Sequence, residues 1–115
     1  MPKLSPHVTI YRFPTAAISS ITNRLSGLYL SGVFVGVGIS FLTPYEIRFP
    51  RYIEAGTVGA IVYHTLGGIR HFVWDFKPNL MTNSIAHFSS IGLAVSSIGI
   101  TTAYMHLKTS KSRIK

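Results

Sequence analysis

Four ionisable side chains, His64, Arg70, His71 and Asp75, fall within the stretch YHTLGGIRHFVWDF (63–76), which closes an apolar run. A charge at the centre of a bilayer costs at least about 2.5–3.5 kcal/mol, so each of these groups needs a chemical reason to be there. His64 lies deepest. Neutral imidazole is the commonest side-chain metal ligand, and Gly67 and Gly68, one turn on, would clear room for a flat macrocycle. A core histidine hydrogen-bonded to a neighbouring helix fits the same residue type, which by itself leaves both readings open. His71 follows seven residues later, on the same face but about 10.5 Å further along the axis. The two histidines therefore cannot take opposite faces of one iron, and a six-coordinate site would need its second ligand from elsewhere. The spacing of His71 and Asp75 predicts a His–Asp pair, with Arg70 at the headgroup boundary in a structural or docking role.

A second constellation precedes the first apolar run. Ser20 and Arg24 stand at i and i+4, on one helix face. A guanidinium beside a hydroxyl at a membrane boundary can donate to a carbonyl oxygen or pair with a carboxylate. Taken alone, Arg24 reads as an arginine snorkelling to lipid phosphate.

The elements that must position these groups are membrane spans. The chain has 115 residues, 47% of them hydrophobic and only 12% charged, against about 25% charged in an ordinary soluble domain; its mean hydropathy is +0.36. Leu25 to Tyr45 are twenty-one residues without a charge, and Pro78 to Leu107 are thirty, broken only by His87 and His106. Roughly 20 apolar residues cross the hydrocarbon. Between them, Ala55 to Ile69 gives fifteen uncharged residues, which span if extended to about Tyr52–Trp74. The expectation is a single all-α membrane domain over 1–115, with a surface segment 1–21, transmembrane helices near 22–43, 52–75 and 83–106, and a basic tail 107–115.

Gly32, Gly36 and Ser40 on the first span, and Gly92, Ser96 and Gly99 on the third, form seams of small residues of the kind that let helices approach closely in lipid. Three thin helices with two such seams predict a partner subunit. Ser89 and Ser90 are expected to bond back to their own helix carbonyls. The net charge of +8 does not indicate nucleic acid, because the basic residues are scattered over termini and loops, not striped along a face. The tail KTSKSRIK reads as a juxtamembrane segment meeting anionic headgroups. Absence of cysteine excludes disulfides and thiolate-held iron–sulfur centres within the chain. The first twenty residues hold Pro2, Pro6 and Pro14 and no long apolar core, so an intact secretory signal is not expected there. Counting basic residues gives five on the N-terminal side (Lys3, Arg12, Lys77, with Arg24 and Arg70 at the margin) and six on the other (Arg48, Arg51 and the tail's four). So even a split leaves the orientation undecided by the positive-inside rule.

Two stretches, LSPHVTIYRFPTAAISSITNRLSG (4–27) and YHTLGGIRHFVWDF (63–76), resemble the large cytochrome b anchor subunit of succinate dehydrogenase, respiratory complex II. The shared pattern is S-P-H-x-T-I-Y, then S-I-x-x-R-x-[ST]-G, then Y-H-x-x-x-G-I-R-H-x-x-x-D. The resemblance implies three transmembrane helices that pack with a second, smaller anchor into a haem-binding bundle, beneath iron–sulfur and flavoprotein subunits. It implies one haem b shared with the partner anchor, with His64 as an axial ligand of the iron, and Asn23 and Arg24 near the haem propionates. Ser20 and Arg24 would line the site of the substrate, ubiquinone. Other polar groups of that site would come from other subunits, and no catalytic residue is expected in this chain, which has no soluble domain for a flavin. Residues 1–20 and 76–82 would face the matrix, in the mitochondrial inner membrane or, alternatively, the equivalent side of a bacterial plasma membrane. One departure stands out: the family usually reads S-I-x-H-R, and this chain has Asn23 in place of that histidine. Asparagine donates a hydrogen bond but carries no positive charge, so haem retention or reduction potential would differ. The alternatives are the anchor of a quinol:fumarate reductase, a purely structural anchor without haem, and a small channel or transporter subunit.

Overall fold

Proline punctuates both ends of the first two helices. In the computed structural model, which describes residues 14–115, α1 runs Thr15–Leu42, α2 Arg51–Phe76 and α3 Asn83–Ile114. Pro14 and Pro50 are the N-cap residues of α1 and α2, where no donor is needed and a φ near −65° leads into the helix. Pro44 forces its predecessor out of the helical region, and Thr43 sits at φ −110°, ψ 148°. Pro78 ends α2 in the same way, with Lys77 extended at φ −132°. A single 3-10 turn, Pro78–Leu80, then leads to Thr82, whose hydroxyl caps α3 by accepting from the Ile85 amide at 3.3 Å. Residues 1–13, which hold the S-P-H-x-T-I-Y motif and most of the expected surface segment 1–21, lie outside the described residues.

Two helix ends extend past the expected spans. Residues 15–21 belong to α1. The basic stretch 107–115 is helical through Ile114, because Lys111 and Arg113 in its last turn complement the negative end of the helix dipole. At 1.5 Å per residue, the 28, 26 and 32 residues of the helices give lengths of about 42, 39 and 48 Å. α1 and α3 are long and apolar enough to cross a membrane. α2 confines its charges to its two ends, Arg51 and Glu54 at one, Arg70 and Asp75 at the other. The molecule is a three-helix transmembrane bundle.

Contacts set the directions. Going up α1, Ser19 meets Tyr63, Gly27 meets His64 and Tyr29 meets Ile53 and Thr57, so α2 descends beside it. Going down α2, Glu54 pairs with Lys108, Gly59 meets Thr101 and Arg70 meets Ser90, so α3 ascends. Close approach uses glycine where side chains would collide: a Cβ on Gly59 would sit 3.3 Å from the Thr101 hydroxyl. Among the described residues the buried hydrophobics are Trp74, Ala86 and Leu93, while Phe34, Phe41 and Leu42 are 80–86% exposed. So little internal apolar burial means that lipid or a partner covers the outer faces. The small-residue seams belong to those faces, since nothing lies within 4 Å of a Cβ at Gly32, Gly36, Gly92 or Gly99.

Candidate functional site

The imidazole of His64 lies across α1. Its Nδ1 is 3.1 Å from the Asn23 carbonyl oxygen and 3.2 Å from Ser26 Oγ. A carbonyl can only accept, and the Ser26 hydroxyl donates its own proton to the same carbonyl at 2.6 Å. Both partners therefore accept, Nδ1 carries the ring proton, and the lone pair is on Nε2. Among the described residues Nε2 has no partner. Gly27 makes this placement possible: a Cβ there would stand 2.8 Å from His64 Cε1. Of the clearance expected from Gly67 and Gly68, the part at Gly67 is taken up by Asn23. Gly67 is buried under the Asn23 amide, and Gly68 faces open space; the glycine against the ring is on the other helix. A hollow of about 450 Å³ adjoins His64, lined also by Gly27, Leu30, Ser31, Phe34 and Val35.

Asn23 serves this site through its backbone. Its side chain turns towards α2, and its Oδ1 is buried without a hydrogen-bond partner among the described residues. Ser20 is half-buried and Arg24 exposed on the same face of α1, and Arg24 has no hydrogen bond among the described residues.

Arg70 does more than its place in the sequence indicates. Its Nη1 donates to Ser90 Oγ at 2.8 Å and Ser89 Oγ at 3.4 Å, and its Nη2 to Ser19 Oγ at 3.0 Å. The guanidinium also lies 4.8 Å from the Trp74 ring. Ser19, 4% exposed, is shared with the Tyr63 hydroxyl at 3.0 Å. One arginine thus clasps all three helices at one end of the bundle, the structural one of its two expected roles. Ser89 and Ser90 also donate back to Ala86, at 3.2 and 2.6 Å, as serines in helices commonly do. The expected His71–Asp75 pair is absent among the described residues: His71 packs edge-on against Trp74 at 5.7 Å, and Asp75 is exposed. Ring packing on the adjacent face takes the imidazole that the i, i+4 spacing offered to the carboxylate. Of the other histidines, His87 bonds through Nδ1 to Thr15 Oγ1 at 2.9 Å. Ser19, Tyr63 and Ser90 are functional-site neighbours that spacing did not single out; a lone arginine in an apolar run, with serines near the ends of the other two, was the available signal.

These features fall within a recognisable pattern of relatives. The family model of the succinate dehydrogenase/fumarate reductase transmembrane subunit matches residues 2–104. The chain belongs to that family. Relatives at similar distance include the mitochondrial succinate dehydrogenase cytochrome b560 subunit of Sus scrofa, 32% identical over 79% of this chain and 69% of the relative. The succinate dehydrogenase cytochrome b556 subunit of Paracoccus denitrificans is 32% identical over 83% and 82%. The mitochondrial cytochrome b560 subunit of Dictyostelium discoideum is 30% identical over 62% of this chain and 44% of its own length, so the chain spans under half of that relative. The family likeness carried by the two motifs is borne out, and the chain is a multi-pass membrane anchor subunit of this family.

Proposed function

We propose that this chain is the cytochrome b anchor of a succinate:ubiquinone oxidoreductase, contributing one axial ligand to a haem b and one wall of the ubiquinone site. The observation that carries the reading is the state of His64. Nδ1–H is committed to the Asn23 carbonyl and Ser26, which leaves Nε2 as an unprotonated donor at an apolar hollow. A metal-bound histidine ordinarily gives its other ring proton to just such an oxygen, which fixes the tautomer and raises ligand basicity. Bound there, a haem would supply a one-electron store close to the quinone site.

The other steps belong to this chain's residues. Arg24 and Ser20 bind and orient a quinone carbonyl, and the guanidinium offsets the negative charge that grows on its oxygen during reduction, away from bulk water. Ser19, held by Arg70 and Tyr63, fixes the turn of α1 that bears Ser20. Electrons arrive from an iron–sulfur partner subunit. A second, smaller anchor would complete the haem site, and the flavoprotein that oxidises succinate would bind through the iron–sulfur subunit. The mitochondrial relatives favour the inner mitochondrial membrane, with residues 76–82 towards the matrix; the Paracoccus relative keeps a bacterial plasma membrane as the alternative. The family description also covers fumarate reductases, but the relatives named above are all succinate dehydrogenase subunits.

The test is a dithionite-reduced minus oxidised spectrum of the purified complex, wild type against His64→Leu. A b-type band that vanishes in the variant supports the reading. A band that persists moves the ligand to His71 or His87, and no band in either leaves an anchor without haem.

A further inference from the structure

At the end of the bundle remote from the Arg70 clasp, the N-terminus of α2 and the last three turns of α3 enclose a hollow of about 660 Å³. Its upper wall is basic and hydroxylic, with Arg51, His106, Thr109, Ser110 and Arg113; its lower wall is Ala55, Thr101, Thr102 and Met105. A second hollow of about 300 Å³ adjoins it, and Arg51, Thr109 and Arg113 border both. The acids nearby are already matched. Glu54 pairs with Lys108 and accepts from the Tyr104 hydroxyl at 3.3 Å, and Glu46 lies 3.9 Å from Arg48. Arg51 donates from Nη2 to Thr109 Oγ1 and to the Met105 carbonyl, which fixes the guanidinium while leaving its other N–H groups unused. Arg113 has no hydrogen bond among the described residues.

We propose that this hollow seats the phosphodiester headgroup of an anionic phospholipid from the leaflet at that end. Two features select a lipid over a free phosphate. From Arg113 to Thr101 the hollow descends twelve residues of α3, about 18 Å, from charged wall to one that presents methyl groups. The hydroxyls of Thr101 and Thr102 are bonded to their own helix carbonyls at 2.7 and 2.8 Å, so the lower wall is made for an acyl chain, not for an ion. Depth agrees: Tyr45, Tyr52 and Tyr104 cluster at this end, the level that interfacial tyrosines occupy. Basic hollows between transmembrane helices at headgroup depth are where anionic lipids bind specifically.

The experiment uses the native membrane assembly containing this chain, exchanged into nanodiscs of phosphatidylcholine with a minor fraction of phosphatidylglycerol. Retained lipid is counted by mass spectrometry after detergent washing. Arg113→Gln, which breaks no internal hydrogen bond, is expected to lower phosphatidylglycerol retention relative to phosphatidylcholine about fivefold, the usual effect of one basic residue at a membrane surface. Arg51→Gln should do the same, and Arg113→Lys should retain most of the binding. Lys111→Gln is the control, because Lys111 carries the same charge on the same helix but lines neither hollow. Equal retention by Arg113→Gln and wild type overturns the proposal. So does an equal loss in Lys111→Gln, which would reduce the effect to bulk attraction. Complete displacement of the lipid by inorganic phosphate would make it a free-anion site and overturn the lipid assignment.

Discussion

The imidazole of His64 is held by two oxygens on the neighbouring helix and by the absence of one carbon. Gly27→Ala would place a methyl 2.8 Å from its Cε1 and tilt the ring off the Asn23 carbonyl. Disturbing the support of a metal ligand typically costs about 10–100-fold in metal affinity. The expected outcome is a chain still present in the membrane with sharply lowered haem per complex, read by pyridine haemochrome; unchanged haem would mean that His64 is not the ligand or that α1 yields. Arg24→Leu should leave the haem band and lower quinone reduction about 100-fold, the usual effect of losing one donor to a developing oxyanion. Steady-state kinetics with added ubiquinone check it, and a parallel loss of haem would assign Arg24 to that group instead. His64, Ser20 and Arg24 were singled out in the sequence by the family motifs, because residue type and spacing alone left each with a structural reading. Gly27 closes the same motif, but its role was not legible, because it depends on what crosses the glycine from another helix. The clasp made by Arg70 was hidden for a related reason: sequence position puts it near the span's end, while its partners lie 51 residues before it and 20 after.

Helix register follows from these polar contacts, since only three hydrophobic residues are buried among those described. Interhelical hydrogen bonds in membranes average about 0.6 kcal/mol, so the several that Arg70 makes amount to about 2 kcal/mol. Arg70→Met should lower the thermal inactivation temperature of the purified complex by several degrees, whereas Ser90→Ala should lower it by far less. Equal effects would show that the clasp contributes nothing beyond one serine. The small-residue seams behave differently. Positions 32 and 36 face open space, so Gly36→Ile should leave this chain inserted and folded. If that face docks the second anchor, co-purification with it falls several-fold; if recovery is unchanged, the seam faces lipid. Both seams were visible as spacing, but spacing gives a face and not its occupant. Where prolines follow, α1 ends at Leu42 and α2 at Phe76, each within one residue of the expected 43 and 75. Helix ends were underestimated where hydropathy set them, because a helix does not stop where its apolar stretch stops.

For the molecule as a whole, the antiparallel path puts 77–82 and 43–50 on opposite sides of the membrane. The chain lacks cysteine, so single substitutions report cleanly: Asn79→Cys should label with a membrane-impermeant maleimide only from the matrix or cytoplasmic side, and Tyr45→Cys only from the other. Labelling of both from one side would overturn the three-span path. The clasp also has a consequence for synthesis. Arg70 enters the membrane while α3 is still emerging, and until Ser90 arrives its guanidinium has Ser19 on α1 as its only hydroxyl partner in the clasp. A nascent chain halted before α3 therefore holds a guanidinium that lacks the Ser89 and Ser90 hydroxyls, and arrival of the third helix supplies them.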